Sequence, residues 1–350
     1  MSPEGKLKIQ NILIIIGIGT IFGLLYNYLF YPHSITEFLE AASISIVLSL
    51  LVGILEQFIL IKVFRNKPFL PITIIRAFVY SLLASLILSL VLSIETYIVQ
   101  QIPYTRAVLQ YLKGPLFKRD FLFTFTFIVL ILFSLQIILL VGRANFFRLI
   151  FGLYHRPREI SRIFMFVDLK GSTTMAEKLS NEAYSEFIKD YFHDISDAIM
   201  MFGGEIYQYV GDEVVVIWPI KRKSMNCINC FFKMEEIIHK KRSIYQSKYG
   251  LIPHFKAGMH GGKVIVTSVG KQKKEIVYHG DVLNTASRIE GKCNELKEKL
   301  LLSQELLKYI KLDNGFRACE KGEIELKGKS DKLSLYGVEK TVVNRSYSGQ

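Results

Sequence analysis

Cysteine is scarce in this sequence, and its placement excludes two kinds of site. Only four of the 350 residues are cysteine, and all four lie in the second half of the chain. So sparse a set argues against a disulfide scaffold and fits a reducing compartment. Cys227 and Cys230 form a C-x-x-C pair, but they belong to an apolar helical stripe with no second Cys or His pair nearby. Zinc binding and thiol redox chemistry are therefore not expected.

Metal-binding histidine patterns and a concentrated basic patch are also missing. The seven histidines show no H-E-x-x-H spacing. The formal net charge is +13, but the basic residues are dispersed apart from short runs at residues 221–223 and 271–274. Dispersed charge is typical of a solvated surface, or of attraction to anionic lipid or nucleotide, rather than of base reading. Nucleic acid is therefore not an expected partner.

Apolar residues, in contrast, are abundant. Half of the residues are hydrophobic, and the mean hydropathy of the chain is positive. Four apolar stretches reach the length of about 20 residues that crosses a bilayer. They cover residues 11–30, 42–64, 72–94 and 121–141. The sequence thus predicts an all-α transmembrane bundle of four spans over residues 1–142, with the lipid bilayer as its partner.

Basic residues at the ends of these spans predict the orientation. They precede the first span, lie between the second and third, and follow the fourth: Lys6, Lys8, Lys62, Arg65, Lys67, Arg143 and Arg148. The positive-inside rule then places the protein in the cell membrane with the N-terminus and the second half cytoplasmic. Residues 95–120 disagree, because they carry four basic residues on the predicted outer side. Within the spans, Glu56 and Arg76 are expected to snorkel towards the surface, with a Glu56–Arg76 ion pair as the alternative.

Residues 143–159 are predicted to form a helical coupling linker. The stretch "RANFFRLIFGLYHRP" has an apolar stripe at helical spacing, and Pro157 would end the helix. Two interpretations stay open, a helix on the membrane surface and a rigid coupler that dimerises.

From residue 160 to 345 the pattern changes to short strands alternating with helices, which predicts an α/β or α+β domain around a mixed sheet. Residues 253–270 read as a strand pair with a glycine turn. Asp168 and Asp212 each follow an apolar strand beside a Gly-containing turn. Their hard carboxylate oxygens are candidate ligands for Mg²⁺ or Mn²⁺. Glu213, next to Asp212, is expected to face solvent.

Other polar features near these carboxylates suit a phosphorylated substrate. A turn of Gly171, Ser172 and Thr173 offers backbone N–H groups at a helix start, where phosphate oxygens bind well. Asn284 and Arg288 are four residues apart, hence on one helix face. Lys327 in a terminal strand adds another cation. Metal ligands, N–H groups and cations together predict phosphoryl transfer.

The motifs "FVDLKGST", "YVGDEVVV", "GDVLNTASR" and "LKGK" follow one another in this order. In these motifs residues 158–342 resemble the class III nucleotidyl cyclases, the adenylate and guanylate cyclase family. The resemblance implies a ferredoxin-like α+β catalytic domain with two Mg²⁺ or Mn²⁺ ions per active site, held by Asp168, Asp212 and the carbonyl of Leu169. It implies that Asn284 and Arg288 stabilise the transition state. By the same resemblance, the terminal phosphates of the substrate lie on Lys327.

The reaction implied by the resemblance is conversion of ATP to 3′,5′-cyclic AMP and pyrophosphate. Sites of this family form between two cyclase domains. Since this chain has one such domain carrying both halves of the site, a homodimer is implied.

Base choice is left open by two positions of the pocket. The family reads the base at Gln208 and Val277, where adenylate cyclases usually have Lys and Asp or Thr, and guanylate cyclases have Glu and a small polar residue. Adenine is the default, and GTP or a pyrimidine triphosphate is the alternative. Two rivals are a membrane receptor with a non-catalytic nucleotide-binding domain, and a diguanylate cyclase suggested by "VGDEV", a family that Asn284 and Arg288 fit poorly.

Overall fold

The chain consists of a helical unit followed by a unit built on a β-sheet. The computed structural model describes residues 3–31, 34–60, 68–221, 225–325 and 332–341. The two units are Met1–Phe146 and Phe147–Gln350.

Long apolar helices dominate the first unit. The helices are α1 (Pro3–Phe30), α2 (Ile35–Leu55, continued by a π-helical turn at Glu56–Leu60), α3 (Phe69–Gln100), α4 (Tyr104–Lys113) and α5 (Pro115–Val141). Of the described helices, α1, α2, α3 and α5 are long and apolar enough to cross a membrane. The four predicted spans are therefore confirmed as helices, although residues 61–64 of the second lie outside the described part.

The two charges predicted within the spans form an ion pair. Arg76 Nη1 donates to Glu56 Oε1 at 2.8 Å, and the Tyr80 hydroxyl donates to Glu56 Oε2 at 2.6 Å. The expectation of snorkelling is therefore wrong, and the alternative is correct. A carboxylate only 7% exposed among apolar helices is costly unless it is paired and hydrogen-bonded.

The second unit alternates helices and strands around one sheet. Helix α6 (Arg143–Ile150) leads into it. Its strands are β1 (Arg158–Leu169), β2 (Glu205–Val210), β3 (Glu213–Pro219), β4 (Phe255–Val269), β5 (Glu275–His279), β6 (Leu300–Ser303), β7 (Phe316–Ile324) and β8 (Leu333–Lys340). Its helices are α7 (Ser172–Lys178), α8 (Asn181–Met201), α9 (Asn226–Lys240), α10 (Arg242–Tyr249), α11 (Asp281–Gly291) and α12 (Gln304–Leu307).

The described sheet is mixed, as predicted. Its strand order is β2-β3-β1-β4-β6-β8-β7, with β5 paired to the outer part of β4. The pair β4–β6 is parallel and the other pairs are antiparallel. Alternate residues of β1 belong to two different cores: Met165 and Val167 pack with α8 and α9, whereas Phe164 and Phe166 pack with α11. The central strands are therefore buried on both faces, which accounts for their continuous apolar runs.

The predicted glycine-turned strand pair is instead the single long strand β4. Its glycines serve close packing rather than a turn. A Cβ atom built on Gly258 would lie 2.1 Å from the backbone nitrogen of Glu290, so only glycine lets α11 lie directly on β4. The strand-pair prediction is wrong because sequence alone does not show which helix covers a glycine.

The coupling helix also ends earlier than predicted. Helix α6 ends at Ile150, before a turn, and does not continue to Pro157. Within the second unit, Arg148 forms a bidentate ion pair with Glu205 at 2.7 and 2.9 Å. The backbone carbonyl of Tyr154 accepts a hydrogen bond from Ser268 N at 2.9 Å. This segment is therefore tied to the sheet by polar contacts that its apolar stripe did not indicate.

Candidate active site

Two aspartates meet where β1 ends and the β2–β3 turn closes. The register pairs Val167 with Val214, and Asp168 is the next residue of β1. Asp212 lies in the turn directly before β3. The Asp212 carboxylate lies close enough to Asp168 to raise the pKa of that group. The structure therefore brings together the two predicted metal ligands, 44 positions apart in the sequence.

A buried lysine and a buried glutamate complete this cluster, and sequence reasoning missed both. Lys256 of β4 pairs with Asp168 in the register and is 6% exposed. Its Nζ lies 3.1 Å from Asp168 Oδ2 and 2.6 Å from Glu290 Oε1 on α11. One sequence feature pointed to Lys256: a charged residue inside an apolar strand needs a buried partner.

Burial and mutual repulsion raise the pKa values of the carboxyl groups. Burial raises the pKa of Asp168, the Lys256 ammonium partly offsets this, and Asp212 raises it further. Burial likewise raises the pKa of Glu290 against the opposing effect of Lys256. The expectation that Glu213 faces solvent is wrong, because this side chain is half-buried. Its burial, with Glu290, Asp168 and Asp212 close by, raises its pKa to about 7.

The cluster fits a divalent cation. Glu213 has the carboxyl groups of Asp168, Asp212 and Glu290 as electrostatic neighbours, and the Lys256 ammonium pairs with two of these, Asp168 and Glu290. Asp212 Oδ2 is buried and accepts no hydrogen bond from any described residue. The described residues contain no group of three His, Cys, Asp or Glu side chains set to hold an ion by themselves. Any ion here would therefore take its remaining ligands from backbone, water or substrate phosphates.

The turn after Asp168 presents backbone rather than side chains. Gly171 has a left-handed φ of 72°, a backbone conformation that a residue with a Cβ atom rarely adopts, and this lets β1 turn into α7. Leu169 is only 1% exposed, and its side chain lies in the core beneath the sheet. Ser172 is half-buried, and Gly171 and Thr173 are exposed. The predicted phosphate-binding turn is thus accessible beside the carboxylates.

Asn284 and Arg288 lie on α11, the helix that also carries Glu290. Asn284 is exposed and Arg288 is half-buried. Neither side chain contacts a hydrogen-bonding or ionic partner within the described residues. Lys327 lies outside the described residues.

The two base-choice positions flank a pair of touching rings. Gln208 is exposed on β2, next to a bulge, and pairs with Val215. Val277 is half-buried on β5 opposite Thr267. The rings of their chain neighbours Tyr207 and Tyr278 are 5.1 Å apart. The fold thus brings together two segments that are about 70 residues apart in sequence.

Comparison with known proteins shows the family of this chain. Residues 157–340 match the model of the adenylate and guanylate cyclase catalytic domain. The chain belongs to this family. Adenylate cyclase 2 of Rhizobium meliloti (strain 1021) is 36% identical over 207 residues, which cover 59% of this cyclase-family chain and 57% of that protein. Adenylate cyclase 1 of the same organism is 31% identical over 194 residues, covering 53% of this chain and 29% of that protein.

The match therefore spans less than two thirds of the length of these curated relatives. Among solved structures, the adenylyl cyclase CyaB from P. aeruginosa is 23% identical with a TM-score of 0.46. That comparison covers 53% of this cyclase-family chain and 97% of the other.

Proposed function

We propose that this chain is a membrane-anchored adenylate cyclase that converts ATP to 3′,5′-cyclic AMP and pyrophosphate. The observation that carries the proposal is the excess of carboxylates around Asp168 and Asp212, with Asp212 Oδ2 buried and lacking a hydrogen-bond partner among the described residues. A buried acceptor without a hydrogen-bond donor is costly, and a bound cation would remove that cost. The curated relatives that match are adenylate cyclases, which supports ATP as the substrate.

Asp168 and Asp212 would hold two Mg²⁺ or Mn²⁺ ions, assisted by the carbonyl of Leu169. When bound, these ions stabilise negative charge on the phosphates and favour ionisation of the ribose 3′-hydroxyl. Lys256 acts through Asp168, one of these two carboxylates. By pairing with Asp168, its ammonium holds that carboxylate in place and opposes the rise in its pKa that burial causes.

The remaining residues bind the substrate and stabilise the transition state. The backbone N–H groups of Gly171, Ser172 and Thr173 receive phosphate oxygens, and Lys327 holds the terminal phosphates. The 3′-oxygen loses its proton to solvent water and forms a bond to the α-phosphorus, while the bond from that phosphorus to pyrophosphate breaks and pyrophosphate leaves. The Arg288 guanidinium meets the charge that develops on the α-phosphate, and the Asn284 amide also stabilises the transition state.

Each active site would be shared by two copies of the chain. In this arrangement one copy supplies the aspartates, and the other supplies Asn284 and Arg288, whose side chains have no polar partner among the described residues. The β2–β3 and β4–β5 hairpins expose four apolar residues that suit an interface between copies. They are Tyr209 (48% exposed), Val210 (52%), Ile265 (38%) and Val269 (37%).

The four apolar helices would anchor this enzyme in the cell membrane. The basic residues at the span ends support an orientation with the N-terminus and the catalytic domain in the cytoplasm, where ATP is present.

The identity of the product tests the proposed reaction. Full-length protein in lipid nanodiscs is incubated with Mn²⁺ and each of the four ribonucleoside triphosphates, and products are identified by mass. Cyclic AMP from ATP is the expected main product. A cyclic product only from GTP or a pyrimidine triphosphate would replace the substrate assignment, and no cyclic product from any of the four would reject the reaction.

Complementation tests the shared site. Asp168→Asn and Asn284→Ala should each be nearly inactive as homodimers. Co-expressed, they should regain activity, because the mixed dimer contains one intact site. Asp190→Asn is the matched control, since this carboxylate forms an exposed ion pair with Lys248 away from the site, and it should retain wild-type activity. Mixed dimers that form but stay inactive would reject a site shared between two copies.

A further inference from the structure

The helices of the first unit form a partly open cavity that the proposed reaction does not use. It has a volume of about 800 Å³ and lies among α1, α2, α3 and α5. This volume falls in the range of about 300–1,000 Å³ that is typical of small-molecule sites. Much of its wall is apolar, as shown by Ile15, Phe22, Leu48, Val52, Leu88 and Leu132. The cavity can therefore accept the chain of an apolar or amphipathic molecule.

Two buried acceptor atoms belong to residues of this wall and have no hydrogen-bond donor among the described residues. One is Asn27 Oδ1, on a residue that is only 6% exposed, and the other is Glu37 Oε2. Asn27 lies in the last turn of α1 and Glu37 in the first turn of α2, so both occupy the end of the cavity near the α1–α2 connection. An unpaired acceptor costs more among apolar helices than in water. A ligand that donates hydrogen bonds here would remove that cost.

The charged residues along the cavity wall determine which charge a ligand can carry. Four acidic residues line the cavity, and the described lining residues include no Lys or Arg. Two of the four are already neutralised: Arg76 pairs with Glu56 at 2.8 Å, and Arg119 pairs with Asp120 at 3.1 Å. Asp120 also accepts hydrogen bonds from the hydroxyl groups of Tyr26 and Tyr111.

Glu37 and Glu40 are the other two acidic residues, and neither forms an ion pair within the described part of the chain. They leave a negative excess at the same end as Asn27. A cationic head group is therefore favoured there, and an anionic one is repelled.

From these observations we infer that the cavity is a binding site for a cationic amphiphile. Its ammonium head would donate hydrogen bonds to Asn27 Oδ1 and Glu37 Oε2, and its alkyl chain would lie between the helices. The inference concerns the helical unit alone and does not depend on the reaction proposed for the other unit.

Binding of a matched series of probes tests the ligand class. Full-length protein in phosphatidylcholine nanodiscs is titrated with radiolabelled dodecylamine, and unlabelled dodecan-1-ol and dodecanoate compete for the same sites. The three molecules share a twelve-carbon chain and differ in the head. We expect saturable binding of one dodecylamine per chain, weaker competition by the alcohol, and the weakest by the carboxylate. Absence of saturable binding, or equal competition by all three, would overturn the inference.

Variants locate the site. Asn27→Leu removes an acceptor for the charged donor, and Glu37→Gln removes the negative charge that faces it. Each change should weaken dodecylamine binding about tenfold. Asn11→Leu is the matched control, because it makes the same change on α1 at a residue bonded to Gln57 and outside the cavity wall. It should leave binding unchanged. Wild-type affinity in both Asn27→Leu and Glu37→Gln, or equal loss in Asn11→Leu, would refute the placement of the head group.

A cavity-filling change tests the chain-binding part. Ala84 lines the cavity and is 6% exposed, so Ala84→Phe should remove the space for the alkyl chain and abolish binding. Circular dichroism of the variant checks that the helices are retained. If they are lost, the head-group variants decide the question by themselves; unchanged binding in a folded Ala84→Phe protein would refute the inference.

Discussion

Replacing Lys256 with methionine should destabilise the second unit strongly. The Lys256 ammonium lies between two carboxylates and its side chain is 8% exposed. Lys256→Met keeps most of the apolar stem but leaves Asp168 and Glu290 without their counter-charge. Removing one partner of a buried ion pair costs about 3–5 kcal/mol. Because the Asp168 side chain is 26% exposed, water screens part of this loss, and we expect the free energy of unfolding to fall by about 2–4 kcal/mol.

The pH dependence of that loss follows from the same geometry. Burial already raises the pKa values of Asp168 and Glu290, and Lys256 opposes the rise in both. Without the ammonium both values rise further, so the folded variant binds more protons than the unfolded chain over a wider pH range. Stability of the variant should therefore fall as pH rises above the ordinary carboxyl values of 3.8 and 4.5. The deficit relative to wild type should be smallest near pH 5 and largest near pH 8.

The assay can follow this unit within the full-length protein. Trp218 is the single tryptophan of the chain, belongs to β3 and is 3% exposed, so its fluorescence during urea unfolding reports on the sheet. Lys263→Met is the matched control. It makes the same change on β4, where Lys263 and Glu159 form an ion pair with side chains 72% and 55% exposed. Because water screens so exposed a pair, its loss should change the free energy of unfolding little. Equal losses in the two variants, or a Lys256→Met deficit that does not change with pH, would refute the reasoning.

Three other changes probe the pocket, the linker contact and the packing of α11. Gln208→Lys combined with Val277→Asp should raise the ratio of kcat/KM for ATP over GTP about tenfold to a hundredfold. The reason is that a wrong base would leave buried polar groups unpaired. An unchanged ratio would mean that other groups read the base. Glu205→Gln removes one charge of the half-buried ion pair with α6 and should lower the urea midpoint by the equivalent of about 1–2 kcal/mol, which a wild-type midpoint would contradict. Gly258→Ala should lower the free energy of unfolding by about 3 kcal/mol, because the added Cβ clashes with the backbone of α11. Gly291→Ala should lower it little, since nothing lies within 4 Å of the added Cβ. Similar losses in the two variants would argue against that clash.

Features set by nearby residues could be predicted from the sequence. The four long helices follow from apolar runs of about 20 residues, because a helix of that length matches the thickness of a bilayer core. Asp168 and Asp212 could be singled out because each interrupts a local pattern, a charge directly after an apolar strand. The C-x-x-C pair could be assigned to the core from its helical spacing, and both cysteines are indeed buried. Local hydrophobic periodicity is sufficient for such predictions.

Tertiary structure alone decided which distant groups share the site. Lys256 is 88 residues from Asp168 and 34 from Glu290, and these three meet only because β1 and β4 pair in one register and α11 packs on β4. Glu213 looked like an exposed turn residue, yet the same packing surrounds it with carboxylates and raises its pKa to about 7. Gly258 reads as a turn until the helix above it is known. Electrostatic and steric effects depend on distance in space. Strand register and helix docking set those distances, and both depend on long-range contacts that local sequence patterns do not predict.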